Sequence, residues 1–225
     1  MTMLLAEDLL LLLLDDETGK LDATWIDPLL GGAMLTELAA GELLEVRKGG
    51  TWSRAKVHVL PGATPPGDPL LTGALGVVAE RERTAQDLVN RLGKGLKDAL
   101  LARLAERGII RLEEGRFLGI FPTKRWPTVD SSHEDEVRRH LAAALLHGVT
   151  PTQHTAALVS LLHAADRAHK VLDNQGLPAR QVKARAKEIA EGDWAAKAVR
   201  DAISAAQAAT TAVMIATTTA AASSS

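Results

Sequence analysis

The stretch that decides the fold is Met1–Leu14, which reads MTMLLAEDLLLLLL. Its second half, Leu9–Leu14, is apolar on every side, whereas its first half carries Glu7 and Asp8. A helix without a polar face must be covered on several sides, so this pattern predicts a helix over residues 2–14 at the centre of a helical core. Six leucines in a row fall far short of the ~20 apolar residues that span a bilayer.

Further helices and two hairpins are predicted outward from this segment. Asp27-Pro28 is typical of a helix start and Gly41 of its end. Apolar and polar residues alternate within residues 43–60, which predicts a short hairpin. Helices are expected over residues 70–79 and over a segment that contains Leu96 and Leu104 and ends at Gly108. A second hairpin is predicted over residues 109–121, with its turn at Glu113–Gly115. Ser131 with Glu134 reads as a capping box for the next helix.

The C-terminal part predicts three more helices. They are expected from Thr150 to about Leu172, around Arg180–Ile189, and from Asp193 onward. The fold class is therefore mainly α: a compact single-domain helical bundle, residues 1–217, with a projecting hydrophobic β-hairpin. Residues 218–225 are Ala, Thr and Ser and are expected to form a flexible tail.

Composition narrows the functional classes. The formal net charge of −2 gives the whole molecule no attraction to polyanions, so phosphate binding requires a local basic patch. The sequence has no cysteine, which excludes disulfides and thiolate metal sites and suits a reducing cytoplasm. Its 4 Trp and 2 Phe are too few for a row of base-stacking rings.

No motif for catalysis is found. The sequence lacks both the nucleotide-binding loop G-x-x-x-x-G-K-[ST] and the G-x-S-x-G elbow of hydrolases. Four histidines recur every seven residues, but no carboxylate pair accompanies them, so chance is favoured over a metal site; they are His133, His140, His147 and His154. We therefore predict a protein that is not an enzyme and has no catalytic residue, metal or cofactor.

One basic segment stands out. Residues 91–111 hold six basic residues and two acidic ones, a local excess of +4. Lys94 and Lys97 lie beside Gly93 and Gly95 at a predicted helix start, where free backbone N–H groups and lysines favour a phosphate. The alternative is an ordinary solvated helix face.

A second segment combines aromatic and basic residues. Residues 116–127 hold both Phe of the chain, a Trp and an adjacent basic pair, and the candidate membrane-contacting side chains are Leu118, Ile120, Phe121, Lys124, Arg125 and Trp126. Such a combination is typical of loops that insert at an anionic bilayer surface. A strand packed on the core, with Trp126 as its lid, explains the pattern equally well.

Taken in order, several stretches resemble the Golgi phosphoprotein 3 family. They are LLAEDLLLL and DDETG near the start, Trp25, GAMLTELA at 32–39, PGDPLL at 66–71, LAERGII at 104–110 and the hairpin at 117–127. No single stretch is diagnostic, but their order along nearly the whole chain supports the resemblance.

The resemblance implies a compact helical protein that is cytoplasmic and peripherally membrane-associated. It implies binding to an anionic phospholipid or phosphoinositide surface, phosphatidylinositol 4-phosphate in the family, and adaptor activity toward protein clients. Trp25, Lys94 and Lys97 match the family's headgroup site, and the hairpin matches its membrane-inserting, self-associating loop. The family's further headgroup arginine falls here on Gly31, so general anionic-lipid binding is the safer expectation.

Two other functions stay open on the sequence. A helix ending at Gly108 followed by a hairpin with Lys124 and Arg125 could form a winged-helix-like nucleic-acid binder, although the overall acidity argues against nucleic acid as a partner. A protein adaptor without lipid affinity fits every pattern above.

Overall fold

The computed structural model describes residues 3–15, 18–21, 26–47, 55–117 and 121–192, together with the single positions 204, 208 and 211. Within these ranges the chain forms eight helices and two antiparallel hairpins. The helices are α1 Leu5–Leu13, α2 Ile26–Ala40, α3 Pro69–Ala79, α4 Ala85–Gly93, α5 Leu96–Glu106, α6 Ser132–Leu145, α7 Gln153–Ala164 and α8 Ala179–Glu191. The strands are β1 Leu44–Arg47, β2 Lys56–Val59, β3 Glu113–Phe117 and β4 Phe121–Arg125. The mainly α fold class is confirmed.

Helix α1 occupies the centre of the core, as its sequence predicts. Every residue from Leu5 to Leu12 is buried, and the helix packs against α2, α5, α6 and α7. Glu7 caps the helix start, because its Oε2 accepts a hydrogen bond of 2.8 Å from the backbone N–H of Leu4. An apolar helix covered on so many sides removes its leucine side chains from water almost completely.

Helices α2 and α4 share the most extensive contact among the described helices. A Cβ on Gly31 would lie 2.0 Å from the carbonyl oxygen of Val89, and a Cβ on Gly93 would lie 1.9 Å from that of Asp27. The two glycines thus let the backbones of α2 and α4 touch. Gly93 is the last residue of α4, and Lys94 begins the link to α5.

The second hairpin projects from the bundle, but its predicted turn is wrong. Glu113–Gly115 lies inside β3, and the strand expected at 109–112 is reduced to one isolated bridge between Ile110 and Thr128. The register pairs Glu113 with Arg125 and Glu114 with Lys124. Opposite charges at facing positions favour such a register, and a turn rule applied to Glu-Glu-Gly cannot take that into account. In the described chain neither strand packs extensively on a helix.

The C-terminal helices differ from prediction in detail. Helix α6 begins where expected, but the Ser131 side chain accepts no capping bond from the helix backbone; its hydroxyl binds the carboxylate of Asp135 instead. Helix α7 ends at Ala164 rather than near Leu172, and turns follow it. The predicted helix from Asp193 and the predicted tail lie outside the described ranges, apart from the three single positions.

None of the helices within the described ranges combines the length and the apolar character needed to cross a membrane.

Candidate functional site

A basic cavity of about 620 Å³ lies between the loop after α1, the first two turns of α5 and the base of the second hairpin. Its walls are partly aliphatic and partly basic, and its lining residues are Leu14, Gly19, Lys20, Leu21, Lys97, Asp98, Leu101, Lys124 and Trp126. Its size falls within the range of small-molecule and headgroup pockets. We refer to it below as the basic cavity.

The loop after α1 is held against the hairpin by backbone contacts. Gly19 adopts a left-handed φ of 59°, and its carbonyl oxygen accepts a hydrogen bond of 3.1 Å from the backbone N–H of Trp126. A Cβ on Gly19 would lie 2.2 Å from that same nitrogen, so only glycine fits. This contact brings Lys20 and Lys124 to the same cavity.

The link between α4 and α5 brings Lys97 to the cavity. Gly95 has a left-handed φ of 74° at the N-cap of α5, and Lys97 follows in the first turn of that helix. Lys97 therefore stands near the positive end of the helix dipole, where unpaired backbone N–H groups favour an anion. Lys94 is exposed at the end of α4, and the described lining of the cavity does not include it.

The charges around the basic cavity are unbalanced. Lys20, Lys97 and Lys124 form no ion pair with any described residue, and Asp98 is the one acid in the described lining. Three lysines from three separate elements therefore line the cavity with one acid, and Glu114 lies opposite Lys124 on the neighbouring strand. Because Lys20 and Lys124 are exposed and Lys97 is only half-buried, the ammonium groups stay hydrated until an anion arrives.

The basic excess of residues 91–111 is largely neutralised within the fold. Arg91 pairs with Asp87 and Arg111 with Glu113 on the surface, whereas Arg103 and Arg107 both reach the buried Glu7. Of the six cations in this segment, only Lys94 and Lys97 lack an acidic partner among the described residues. The two lysines predicted to bind phosphate are thus the two cations of this segment that stay unpaired among the described residues.

Several predicted site residues lie outside what the structure describes. Trp25, Leu118 and Ile120 fall in the undescribed ranges, and of Phe121 only the backbone, in β4, is described. The predictions made for these four side chains stay predictions. Lys124 and Arg125 are exposed at the end of β4.

Trp126 is half-buried and packs against the hydrophobic core while also lining the basic cavity. This position agrees with the lid alternative for Trp126, since the ring covers apolar surface at the base of the hairpin. Lys20 is the residue that sequence analysis missed. Its place in the site depends on the contact between Gly19 and Trp126, which are far apart in the chain.

Gly31, where the family arginine falls, has no room for any side chain. The carbonyl oxygen of Val89 and the backbone nitrogen of Gly93 fill the space that a Cβ would need. An arginine at position 31 would require a different packing of α2 on α4. The charge that it would supply is absent from this position.

A second polar cluster lies inside the bundle around α1. The carboxylate of the buried Asp8 accepts a hydrogen bond on each oxygen, from His133 Nε2 at 2.6 Å and from His154 Nε2 at 2.7 Å. The bond to Asp8 raises the pKa of His154, although burial opposes the shift. The outer two of the four regularly spaced histidines thus tie α6 and α7 to α1. Within the described ranges no group of His, Asp and Glu side chains is arranged to hold a metal ion.

Arg103 connects this cluster to α3. Its Nε lies 3.0 Å from Glu7 Oε1, and its other end pairs with Asp68, the N-cap residue of α3. Burial acts to raise the pKa of Asp68, but the hydrogen bond from Arg103 and two backbone N–H groups outweigh it and lower that pKa. Arg103 and Arg107, which were counted in the basic excess of residues 91–111, serve here to neutralise the buried Glu7, and Arg103 also pairs with the half-buried Asp68.

Fold and site together define a class: a mainly helical domain with a basic cavity at the base of a projecting hairpin. The model of the family described as Golgi phosphoprotein 3 (GPP34) matches residues 5–206, which is most of the chain. The protein therefore belongs to the Golgi phosphoprotein 3 family. A search of curated proteins found no match.

Proposed function

We propose that this protein is a peripheral membrane-binding module that recognises anionic lipid headgroups at the basic cavity. The observation that carries the proposal is the convergence of Lys20, Lys97 and Lys124 on one cavity without a matching number of acids. Membership of the Golgi phosphoprotein 3 family supports a lipid as the anion.

The geometry suits a headgroup at a membrane surface. Lys124 and Arg125 lie on the projecting hairpin, and Lys124 also lines the cavity, so a surface that contacts Lys124 lies close to the cavity. A phosphate entering the cavity would gain lysine ammonium groups and the N–H groups at the start of α5. The hairpin segment that precedes Lys124 supplies the apolar residues that we expect to enter the interface.

The specificity that we propose is for negative charge at the headgroup rather than for one phosphoinositide. Lysines attract phosphate as point charges, and the bidentate recognition that an arginine provides has no counterpart at Gly31. Vesicles that contain phosphatidylinositol 4-phosphate and vesicles that contain phosphatidylserine at equal surface charge should therefore bind within a few-fold of each other.

Co-sedimentation with vesicles tests the proposal. Each lysine near an anionic surface contributes about 1 kcal/mol, or about fivefold in affinity. Replacing Lys20, Lys97 and Lys124 together by Ala should weaken binding by roughly two orders of magnitude and flatten its salt dependence. Lys187→Ala is the matched control, because Lys187 pairs with Glu191 on α8 and does not line the cavity.

Two outcomes would reject the proposal. Wild-type protein that does not sediment with anionic vesicles would favour an adaptor without lipid affinity. Tighter binding to a short DNA duplex than to vesicles at one salt concentration would favour the nucleic-acid alternative.

A further inference from the structure

A separate pocket of about 470 Å³ opens on another part of the bundle, between α2, α7, α3 and the loop before α3. Its walls are mainly apolar, and its lining includes Leu5, Leu43, Pro66, Leu71 and Ala157. It shares no lining residue with the basic cavity. We call it the Glu37 pocket, after the carboxyl group that stands in its wall.

Glu37 is a half-buried carboxyl group without an ion-pair partner among the described residues, although His154 lines the same pocket. Its Oε2 accepts one hydrogen bond of 3.0 Å, from the backbone N–H of Leu5, and Glu37 forms no ion pair with any described residue. The other buried or half-buried carboxylates nearby are all paired: Glu7 and Asp68 with arginine, and Asp8 with two histidines. Glu37 is thus the one carboxyl group among these neighbours that has no ion pair with a described residue.

The neighbouring Thr36 gives a second, independent sign of a missing ligand. Thr36 also lines the pocket, is 1% exposed, and its hydroxyl has no hydrogen-bond partner among the described residues. Buried hydroxyl groups in folded proteins nearly always have a partner, so an unpaired one beside a cavity points to a polar group that occupies it.

We propose that the Glu37 pocket binds a small amine with an apolar body, whose ammonium group pairs with the Glu37 carboxylate. The aliphatic walls would cover the body of such a molecule, and the Thr36 hydroxyl would accept or donate a further hydrogen bond. Amine binding would supply a direct ion-pair partner for Glu37. Burial raises the pKa of Glu37 to about 7, and the hydrogen bond from Leu5 and the nearby His154 offset this shift only in part.

The charged groups around Glu37 come from four elements and set its response to pH. His154 on α7 and Arg103 on α5 are the cations, and Asp8 on α1 and Asp68 at the start of α3 are the anions. With its pKa about 7, Glu37 is about one-tenth ionised at pH 6 and about nine-tenths ionised at pH 8. An ammonium ligand should bind about tenfold tighter at the higher pH, and loss of the His154 proton acts in the same direction.

Titration calorimetry with n-hexylamine on the full chain tests this inference, with n-hexanol as the uncharged probe of equal length. Wild-type protein should bind the amine at least tenfold tighter than the alcohol at pH 8, and amine binding alone should weaken about tenfold at pH 6. Glu37→Gln keeps the acceptor for Leu5 and should reduce amine affinity at least tenfold and abolish its pH dependence. Glu42→Gln is the matched control, because Glu42 is exposed beside the pocket and does not line it.

A second variant that blocks the pocket tests the proposal even where Glu37→Gln does not fold. Ala40 is exposed on α2 and lines the pocket, so Ala40→Leu should exclude both probes while the circular dichroism spectrum stays unchanged. Equal binding of amine and alcohol by the wild type, no binding of the amine, or amine binding that survives either Glu37→Gln or Ala40→Leu would overturn the proposal.

Discussion

Replacing Gly31 by Ala should separate α2 from α4. The new Cβ would lie 2.0 Å from the carbonyl oxygen of Val89, whereas ordinary van der Waals contact begins at 3.4 Å. The helices must therefore move apart by about 1.4 Å, the difference between those two distances. Both obstructing groups, Val89 and Gly93, meet the methyl group with backbone atoms, so no side chain can rotate out of the way.

The loss of folding free energy depends on the packing that is disturbed when α2 moves away from α4. Helix α2 is buried along most of its length, and its contact with α4 is the most extensive between any two described helices. Overpacking typically costs about 1–3 kcal/mol, and we expect at least about 3 kcal/mol because a whole helix must shift. In a protein of this size, that loss lowers the melting temperature by about 6–12 °C.

Equilibrium denaturation in urea, followed by far-UV circular dichroism, measures this loss. The control is Gly73→Ala in α3, where the position that the new methyl group would take has no obstructing atom within 4 Å. There the same substitution should stabilise the protein by about 0.5–1 kcal/mol, because alanine loses less chain entropy in a helix than glycine does. A Gly31→Ala variant as stable as wild type, with an unchanged urea slope, would refute the close approach of α2 and α4.

Two further predictions concern the charges around α1. Glu37 and His154 both have raised pKa values, so each contributes stability that is complete below its unfolded pKa and is lost as pH rises through its folded pKa. The melting temperature should therefore fall between pH 5 and 8, and Glu37→Gln should flatten that fall; a profile that rises with pH would contradict the assignment. Arg103→Met should destabilise the protein by about 3–5 kcal/mol in urea denaturation, because it leaves Glu7 buried with a weaker partner and Asp68 without one.

The control for Arg103→Met is Arg91→Met. Arg91 pairs with Asp87 on the surface, where the pair contributes at most about 1 kcal/mol. Equal losses in the two variants would show that burial of Glu7 does not matter, contrary to the structure.

Much of the fold could be predicted because its signals are local. A helix that contains the apolar run Leu9–Leu14 is stable only when it is buried at the centre of a core, and the structure places it there. The helix end at Gly108 was also visible, since a glycine with a left-handed φ, here 73°, is a local signal of a helix terminus. Gly41 likewise follows the end of α2, although the left-handed φ there belongs to Glu42. The register of β3 on β4 was not visible, because it depends on charges that meet only after the two strands pair.

The site could be predicted only in part, for a similar reason. Lys97 and Lys124 were each identified from their own neighbourhood, but their meeting in one cavity with Lys20 depends on the Gly19–Trp126 contact. The arginines of the basic segment were overvalued, since Arg103 and Arg107 are neutralised by Glu7, which lies about 100 residues earlier in the chain. The net charge of a sequence segment therefore differs from the charge that stays unpaired after the chain has folded.

The bonds from Asp8 to His133 and His154 have a consequence for biosynthesis. Asp8 and His154 are separated by 146 residues, so a ribosome adding 5–20 residues per second needs roughly 7–30 s to deliver the second histidine after the aspartate. Throughout that interval the leucines of α1 have no completed core to enter. The nascent chain therefore presents an apolar helix with an unpaired carboxylate, and we expect it to depend on a chaperone that shields such segments until α7 has emerged.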